Sequence, residues 1–106
     1  MAKITILVLK GCTRCGALKN KLAILNNSFK YIPCDGDSEF CDEVETLSGV
    51  DRYPIVVVTD IKDKISSILY ITEDYNKIGI KENIVDGIVK IGVHSIDQLA
   101  EYIIKS

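Results

Sequence analysis

The 106-residue sequence predicts an α/β fold, with a central mixed β-sheet flanked by helices. Runs of β-branched residues typical of buried strands alternate with segments whose apolar residues recur every three or four positions, as in amphipathic helices. The hydrophobic fraction of 47% and the charged fraction of 26% are ordinary for a globular chain. We expect residues 1–106 to form one domain, because this length is too short for two independent cores.

The first predicted unit is a strand followed by a helix. Lys3 to Leu9 is an almost uninterrupted apolar run, which suits a strand that is covered on both faces. Gly11 marks the turn after it. From Thr13 to about Asn26 the leucines recur at helical spacing, so we expect a helix with one buried stripe.

A second strand and a second helix follow. Phe29 to Cys34 completes a β-α-β unit, whose two strands should be parallel and joined by a right-handed crossover. Ser38 is a favourable N-cap for the second helix, and Gly49 is a favourable left-handed stop. The expected apolar stripe of this helix consists of Phe40, Val44 and Leu47.

The rest of the chain adds strands and a final helix. Ile55 to Thr59 and Ile65 to Ile71 read as a hairpin joined by a turn at residues 60–64. Between residues 73 and 88 periodicity does not decide between helix and strand, and we expect an inserted element that covers an edge of the sheet. Ser95 and Gln98 form a capping box at the start of the last helix.

Two thiols lie where the first strand passes into the first helix. Cys12 lies at the helix start, where free backbone N–H groups and the helix dipole favour a thiolate, and Lys10 and Arg14 should act in the same direction. Such thiols in Cys-x-x-Cys motifs can have pKa values of roughly 3.5 to 7.5 instead of about 8.5. We expect Cys12 to be the attacking sulfur and Cys15 the resolving one.

A metal site is the main alternative for these thiols, and inert buried cysteines are a third interpretation. Zinc would need two more ligands, and Cys34 and Cys41 are available. Their six intervening residues do not match a two-residue zinc knuckle, which disfavours zinc without excluding it. An iron–sulfur cluster shared with external thiols in a dimer also remains open.

The other candidate residues have ordinary structural explanations. Cys34 and Cys41 are expected to be packed cysteines, but they could form a second redox pair or a regulatory disulfide if their Cα atoms lie within about 7 Å. His94 is the one histidine of the chain, and a catalytic role would require it to lie near Cys12.

Charge and hydropathy restrict the partners and the compartment. The formal net charge of −2 gives no reason to expect nucleic acid or an anionic membrane surface as a partner. No apolar run approaches the length of a membrane span, and the stretch after the N-terminus is too short for a signal-peptide core. We therefore expect a cytoplasmic protein.

In order along the chain, these features resemble the thioredoxin superfamily, and in size and layout most closely a glutaredoxin. The resemblance covers roughly the first 60 residues and resumes over Val89 to Ile103. It rests on the first strand, the Cys12-Thr13-Arg14-Cys15 motif, the β-α-β unit, and Tyr53-Pro54 directly before a strand. It implies a thioredoxin-like fold in which Pro54 is cis and packs beside the dithiol.

The same resemblance implies a function. The chain should be a dithiol–disulfide oxidoreductase that reduces protein disulfides or glutathione mixed disulfides, with no bound cofactor or metal and with recycling by glutathione or a partner reductase. A redox-inactive adaptor that keeps the fold is a weaker alternative. Cys12 and Cys15 would be catalytic. The implied substrate-binding residues are Lys10, Thr13, Arg14, Tyr53, Pro54 and Gly92.

Overall fold

The secondary structure of the chain is known from a computed structural model that describes residues 3–24, 29–36 and 38–105. Strands and helices alternate through the first half of the chain, and strands dominate the second half until the last helix. The elements are β1 Lys3–Val8, α1 Thr13–Leu22, β2 Lys30–Pro33, α2 Glu39–Ser48, β3 Ile55–Thr59, β4 Ile65–Ile71, a short 3-10 helix Tyr75–Lys77, β5 Lys81–Val85, β6 Ile88–Val93 and α3 Ile96–Lys105.

The strands form one mixed sheet in the order β2-β1-β3-β4-β6-β5. β1 and β2 are parallel, as the β-α-β pattern predicts, and β3 is antiparallel to both β1 and β4. β6 then pairs parallel with β4, and β5 pairs antiparallel with β6 at the far edge. The carboxyl ends of β1 and β2 therefore lie side by side at one end of the sheet, where both lead into a helix.

Helices cover the two faces of the sheet unequally. Neighbouring residues of a strand point to opposite faces, so Ile6 packs with α1 and α3 while Leu7 packs with α2. Cys15 belongs to the cluster on the α2 face although it lies on α1. The start of α1 is therefore packed against the same apolar cluster as α2.

Local signals placed α2 correctly. The Ser38 hydroxyl accepts the N–H of Cys41 at 3.3 Å, and Gly49 ends the helix with a φ of +70°. The buried stripe is rotated from the expected one, because Cys41, Val44 and Ser48 are buried while Phe40 and Leu47 are half-buried.

The end of α1 differs from its prediction. The helix ends at Leu22, earlier than the expected end near Asn26, and Ala23 is its C-cap. Leu25, Asn26 and Asn27, which defined the expected end, lie outside the described residues, as does Asp37 in the turn before α2. β2 is also shorter than predicted at both ends.

The inserted element covers an edge of the sheet, as expected, and it does so by adding β5 as an outer strand beside β6. The two apolar pairs of this segment, residues 84–85 and 88–89, are strand residues. Ile84 is half-buried on β5, and Val89 is half-buried on β6. Exposed and half-buried residues alternate along β5, which is typical of a strand with one covered face. Gly92 lies within β6.

Candidate active site

The Cys12–Cys15 pair forms a disulfide at the start of α1, with 5.2 Å between the Cα atoms. Gly11 adopts a φ of +75°, a conformation that glycine allows at little cost, and it turns the chain from β1 into the helix. Cys12 is the N-cap of α1, and its sulfur accepts the N–H of Cys15 at 3.1 Å. This N–H is a donor of the kind that stabilises an anion at a helix N-terminus.

The two sulfurs differ in access. Cys15 is 5% exposed and packs in the cluster on the α2 face, whereas Cys12 is half-buried. An incoming disulfide can therefore reach Cys12 more readily than Cys15. The roles of attacking thiol for Cys12 and resolving thiol for Cys15 stay predictions.

The Tyr53–Pro54 peptide lies directly beside the disulfide. The bond is cis, and the Cys12 Sγ lies 3.8 Å from the Tyr53 carbonyl oxygen. Both side chains are buried, with Tyr53 8% exposed. The structure confirms the prediction that Pro54 is cis and adjacent to Cys12.

Tyr53 is fixed by a contact that the sequence analysis missed. Its hydroxyl donates a short hydrogen bond to the Glu45 carboxylate of α2. Burial raises the pKa of the Tyr53 phenol well above its usual range, and the bond to Glu45 adds to this effect. Glu45 precedes Tyr53 by eight residues, and the turn at Gly49 brings the two together, so no local motif predicts the pair.

The three polar residues predicted around the dithiol are exposed. Lys10 and Thr13 flank Cys12 in sequence, and the Arg14 guanidinium lies 4.0 Å from the Glu73 carboxylate. Glu73 follows β4, in the segment that the sequence could not assign. It places one acidic group beside an otherwise basic approach to Cys12.

A shallow cleft adjoins each side of this region. One, of about 330 Å³, contacts both cysteines of the pair and extends along α1 to Lys19, whose ammonium lies 5.3 Å from the centroid of the Tyr31 ring. The other, of about 320 Å³, runs from Arg52 to Glu73 and contains both acidic and basic side chains. The first cleft is mostly apolar, and the second carries charges of both signs.

Gly92 and His94 are placed elsewhere. A Cβ atom on Gly92 would lie 2.8 Å from the Lys77 carbonyl oxygen, so close packing of the 3-10 helix against β6 accounts for this glycine. His94 is exposed, with its ring centroid 5.1 Å from that of Tyr75. Neither residue lines the two clefts described above.

Cys34 and Cys41 form a second disulfide, with 5.8 Å between their Cα atoms. The bond joins the end of β2 to the first turn of α2. Cys41 is 3% exposed and Cys34 is half-buried. Packing as free thiols, the expected arrangement, is therefore not what the structure contains.

Across residues 3–24, 29–36 and 38–105, no group of three or more His, Cys, Asp or Glu side chains is arranged to hold a metal ion. No helix within that part of the chain is both long and apolar enough to cross a membrane.

Comparison with known proteins places the chain in a family. A glutaredoxin family model matches residues 4–61, a segment that includes β1 to β3, both disulfides and the cis proline. Curated proteins and solved structures gave no match. Because the matched segment spans more than half of the chain, this protein belongs to the glutaredoxin family, whose members generally act as thiol oxidoreductases, and its sheet and helices form a thioredoxin-like fold.

Proposed function

We propose that this chain reduces protein disulfides or glutathione mixed disulfides through Cys12 and Cys15. The proposal rests on one arrangement: the half-buried Cys12 sulfur accepts the amide of Cys15 and lies 3.8 Å from the Tyr53 carbonyl. It supports the proposal because the Cys15 N–H would stabilise a Cys12 thiolate and the Tyr53 carbonyl would align a substrate beside it.

The reaction consists of two exchanges. The Cys12 thiolate attacks one sulfur of the substrate disulfide, the substrate S–S bond breaks, and the other substrate sulfur leaves as a thiolate that takes up a proton. Cys15, deprotonated, then attacks the Cys12 sulfur and releases the second substrate thiolate, which is also protonated. The enzyme is left with a Cys12–Cys15 disulfide, which glutathione or a partner reductase reduces again.

The surroundings of Cys12 suggest how substrate is held. The backbone of Tyr53 beside cis Pro54 would pair with an extended substrate segment, and Lys10, Thr13 and Arg14 would contact its polar groups. The part of Gly92 in substrate binding remains a prediction from the family resemblance. No bound cofactor is required, and we expect the reaction to take place in the cytoplasm.

Single cysteine variants test the proposal. Reduction of a peptide–glutathione mixed disulfide should be lost in Cys12→Ser, whereas Cys15→Ser should accumulate a covalent adduct at Cys12. Lys62→Ala, in the exposed turn between β3 and β4, is a control that should keep wild-type activity. Full activity of Cys12→Ser would contradict the assignment.

Metal analysis tests the alternative function. The protein purified without oxygen should contain no stoichiometric metal and should show two rapidly alkylated thiols per chain after reduction of the first pair. Stoichiometric zinc or iron bound through Cys12 and Cys15 would favour a metal-binding protein instead.

A further inference from the structure

The second disulfide lies beside the first at one end of the sheet. The N–H of Cys34 donates to the carbonyl of Val8 at 2.8 Å, so Cys34 extends the pairing of β2 with β1. From Val8 the chain continues through the turn at Gly11 to Cys12. The two pairs thus follow the carboxyl ends of neighbouring parallel strands.

The segment that leads up to and contains the first cysteine pair and the segment around α2 carry opposite charges. Residues 1–34 contain six basic residues and no acidic ones, whereas residues 35–51 contain seven acidic residues and no basic ones. Exposed lysines, Lys10 and Lys19, lie near Cys12, while exposed acids, Asp35 and Glu39, lie near the second pair. The exposed charges are therefore mainly basic around Cys12, apart from Glu73 beside Arg14, and acidic around the second pair.

Within one chain the sulfurs of the two pairs have different neighbours. The Cys12 sulfur faces the carbonyl of Tyr53, and the Cys34 sulfur lies 3.7 Å from the carbonyl of Ile32 in its own strand segment. Two copies that meet end to end about a two-fold axis would instead place the basic charges around Cys12 of each against the acidic charges around the second pair of the other. Such a contact brings Cys12 of one copy towards Cys34 of the other.

We propose that the Cys34–Cys41 disulfide is a second exchange site, which accepts electrons from the reduced Cys12–Cys15 pair of another copy of this chain. The inference rests on the proposed role of Cys12 as nucleophile. Each chain then stores two electron pairs instead of one.

The exchange is balanced by the two cysteine pairs alone. The Cys12 thiolate of the donor attacks Cys34, the more accessible sulfur, and Cys41 leaves as a thiolate in the first turn of α2, where the helix dipole favours it. Cys15 of the donor, deprotonated, then attacks Cys12 and releases Cys34 as a thiolate. The donor gains a disulfide, and the acceptor gains two thiols after taking up two protons.

Two variants separate the donor from the acceptor. The donor is the reduced Cys34→Ser/Cys41→Ser chain, and the acceptor is the oxidised Cys12→Ser/Cys15→Ser chain. After mixing, acid quenching and alkylation, mass spectrometry should find thiols at positions 34 and 41 of the acceptor. The rate should rise with the concentration of each chain and fall about tenfold or more as salt is raised, because opposite charges steer the encounter.

Charge variants of the acceptor test the docking surface. Asp35→Asn/Glu39→Gln should slow transfer from the donor but should not slow reduction by dithiothreitol, because its attacking thiolate is an anion that an acidic surface does not attract. Asp63→Asn is the matched control, because Asp63 is exposed and pairs with Lys3 at the opposite end of β1, and its rate should equal that of the unaltered acceptor. Equal slowing by both variants would overturn the proposed contact.

Trapping identifies the sulfurs. Adding Cys15→Ser to the donor should yield a Cys12–Cys34 disulfide between two chains. If a double variant fails to fold, isotope-labelled reduced wild type can be mixed with unlabelled oxidised wild type. The same link should then join a labelled Cys12 peptide to an unlabelled Cys34 peptide. Absence of a Cys12–Cys34 link between chains in both experiments would overturn the proposal.

Reduction of a small aromatic disulfide by the donor tests the proposed function of Cys12 independently of the second exchange site. A donor that reduces this compound but not the acceptor would overturn the second exchange site alone, and the Cys34–Cys41 bond would then be a structural staple. A donor that reduces neither would overturn the role of Cys12 as well.

Discussion

Replacing Tyr53 by phenylalanine removes the hydroxyl that links the Tyr53–Pro54 segment to α2. The lost hydroxyl donates to the half-buried carboxylate of Glu45. Hydrogen bonds to charged groups contribute about 1.5 to 3 kcal/mol, and water can partly replace this one, so we expect the free energy of unfolding to fall by about 1.5 kcal/mol. For a domain of this size that loss lowers Tm by roughly 6 to 12 °C.

A melting experiment followed by circular dichroism measures this effect. Tyr75→Phe is the matched control, because the same oxygen is removed from a side chain that is 74% exposed, and the change should stay within about 0.5 kcal/mol. In a double-mutant cycle, Glu45→Gln should cost much less in the Tyr53→Phe background than in wild type. Equal melting temperatures for Tyr53→Phe and wild type would refute the claim that this bond stabilises the Tyr53–Pro54 segment.

The same variant has a defined pH dependence. Because the folded protein raises the pKa of Tyr53, the neutral phenol is favoured in the folded state. Its contribution to the free energy of unfolding is complete below the unfolded pKa of about 10 and is lost as pH rises through the folded value. Wild type should therefore lose stability above about pH 10 more steeply than Tyr53→Phe, and parallel curves would contradict the assigned pKa shift.

Two further predictions concern stability, measured by denaturant unfolding. Gly92→Ala should lower the free energy of unfolding by about 1 to 3 kcal/mol, because its Cβ would meet the Lys77 carbonyl oxygen at 2.8 Å. Gly16→Ala, which has open space around it in α1, should be neutral or stabilising. Equal losses of stability in the two variants would refute the packing argument. Lys90→Ala should cost about 1.5 to 3 kcal/mol, since this ammonium is 16% exposed and donates to a backbone carbonyl. Lys3→Ala, in an exposed ion pair, should cost at most about 1 kcal/mol, and the reverse order would contradict the burial argument.

The parts of the fold that the sequence predicted are those with local signals. Ser38 and Gly49 fix the ends of α2 through their own backbone and side-chain chemistry, and both were located correctly. The Cys-x-x-Cys motif between a buried run and an amphipathic run likewise located Cys12 at a helix start. Family resemblance was needed for cis Pro54, since the sequence pattern alone does not select a cis bond.

The parts that the sequence missed depend on contacts between distant segments. Ile84 and Val89 lie in apolar pairs too short to show a period, and pairing of β6 with β4 decides that they are strand residues. Glu45 and Glu73 reach the active-site region through the folding of whole elements around it. Each is an ordinary surface acid in sequence, so only the three-dimensional arrangement identifies it.

The account depends most on the acidity of one thiol, and the alkylation rate of Cys12 as a function of pH measures it. The reduced protein is treated with iodoacetamide between about pH 5 and pH 9, and the modified peptides are counted by mass spectrometry. Cys12 should titrate at least about one unit below the free-cysteine value of about 8.5 and should react faster than Cys15. A Cys12 rate that rises only around pH 8.5, as for free cysteine, would contradict the role of the α1 N-terminus.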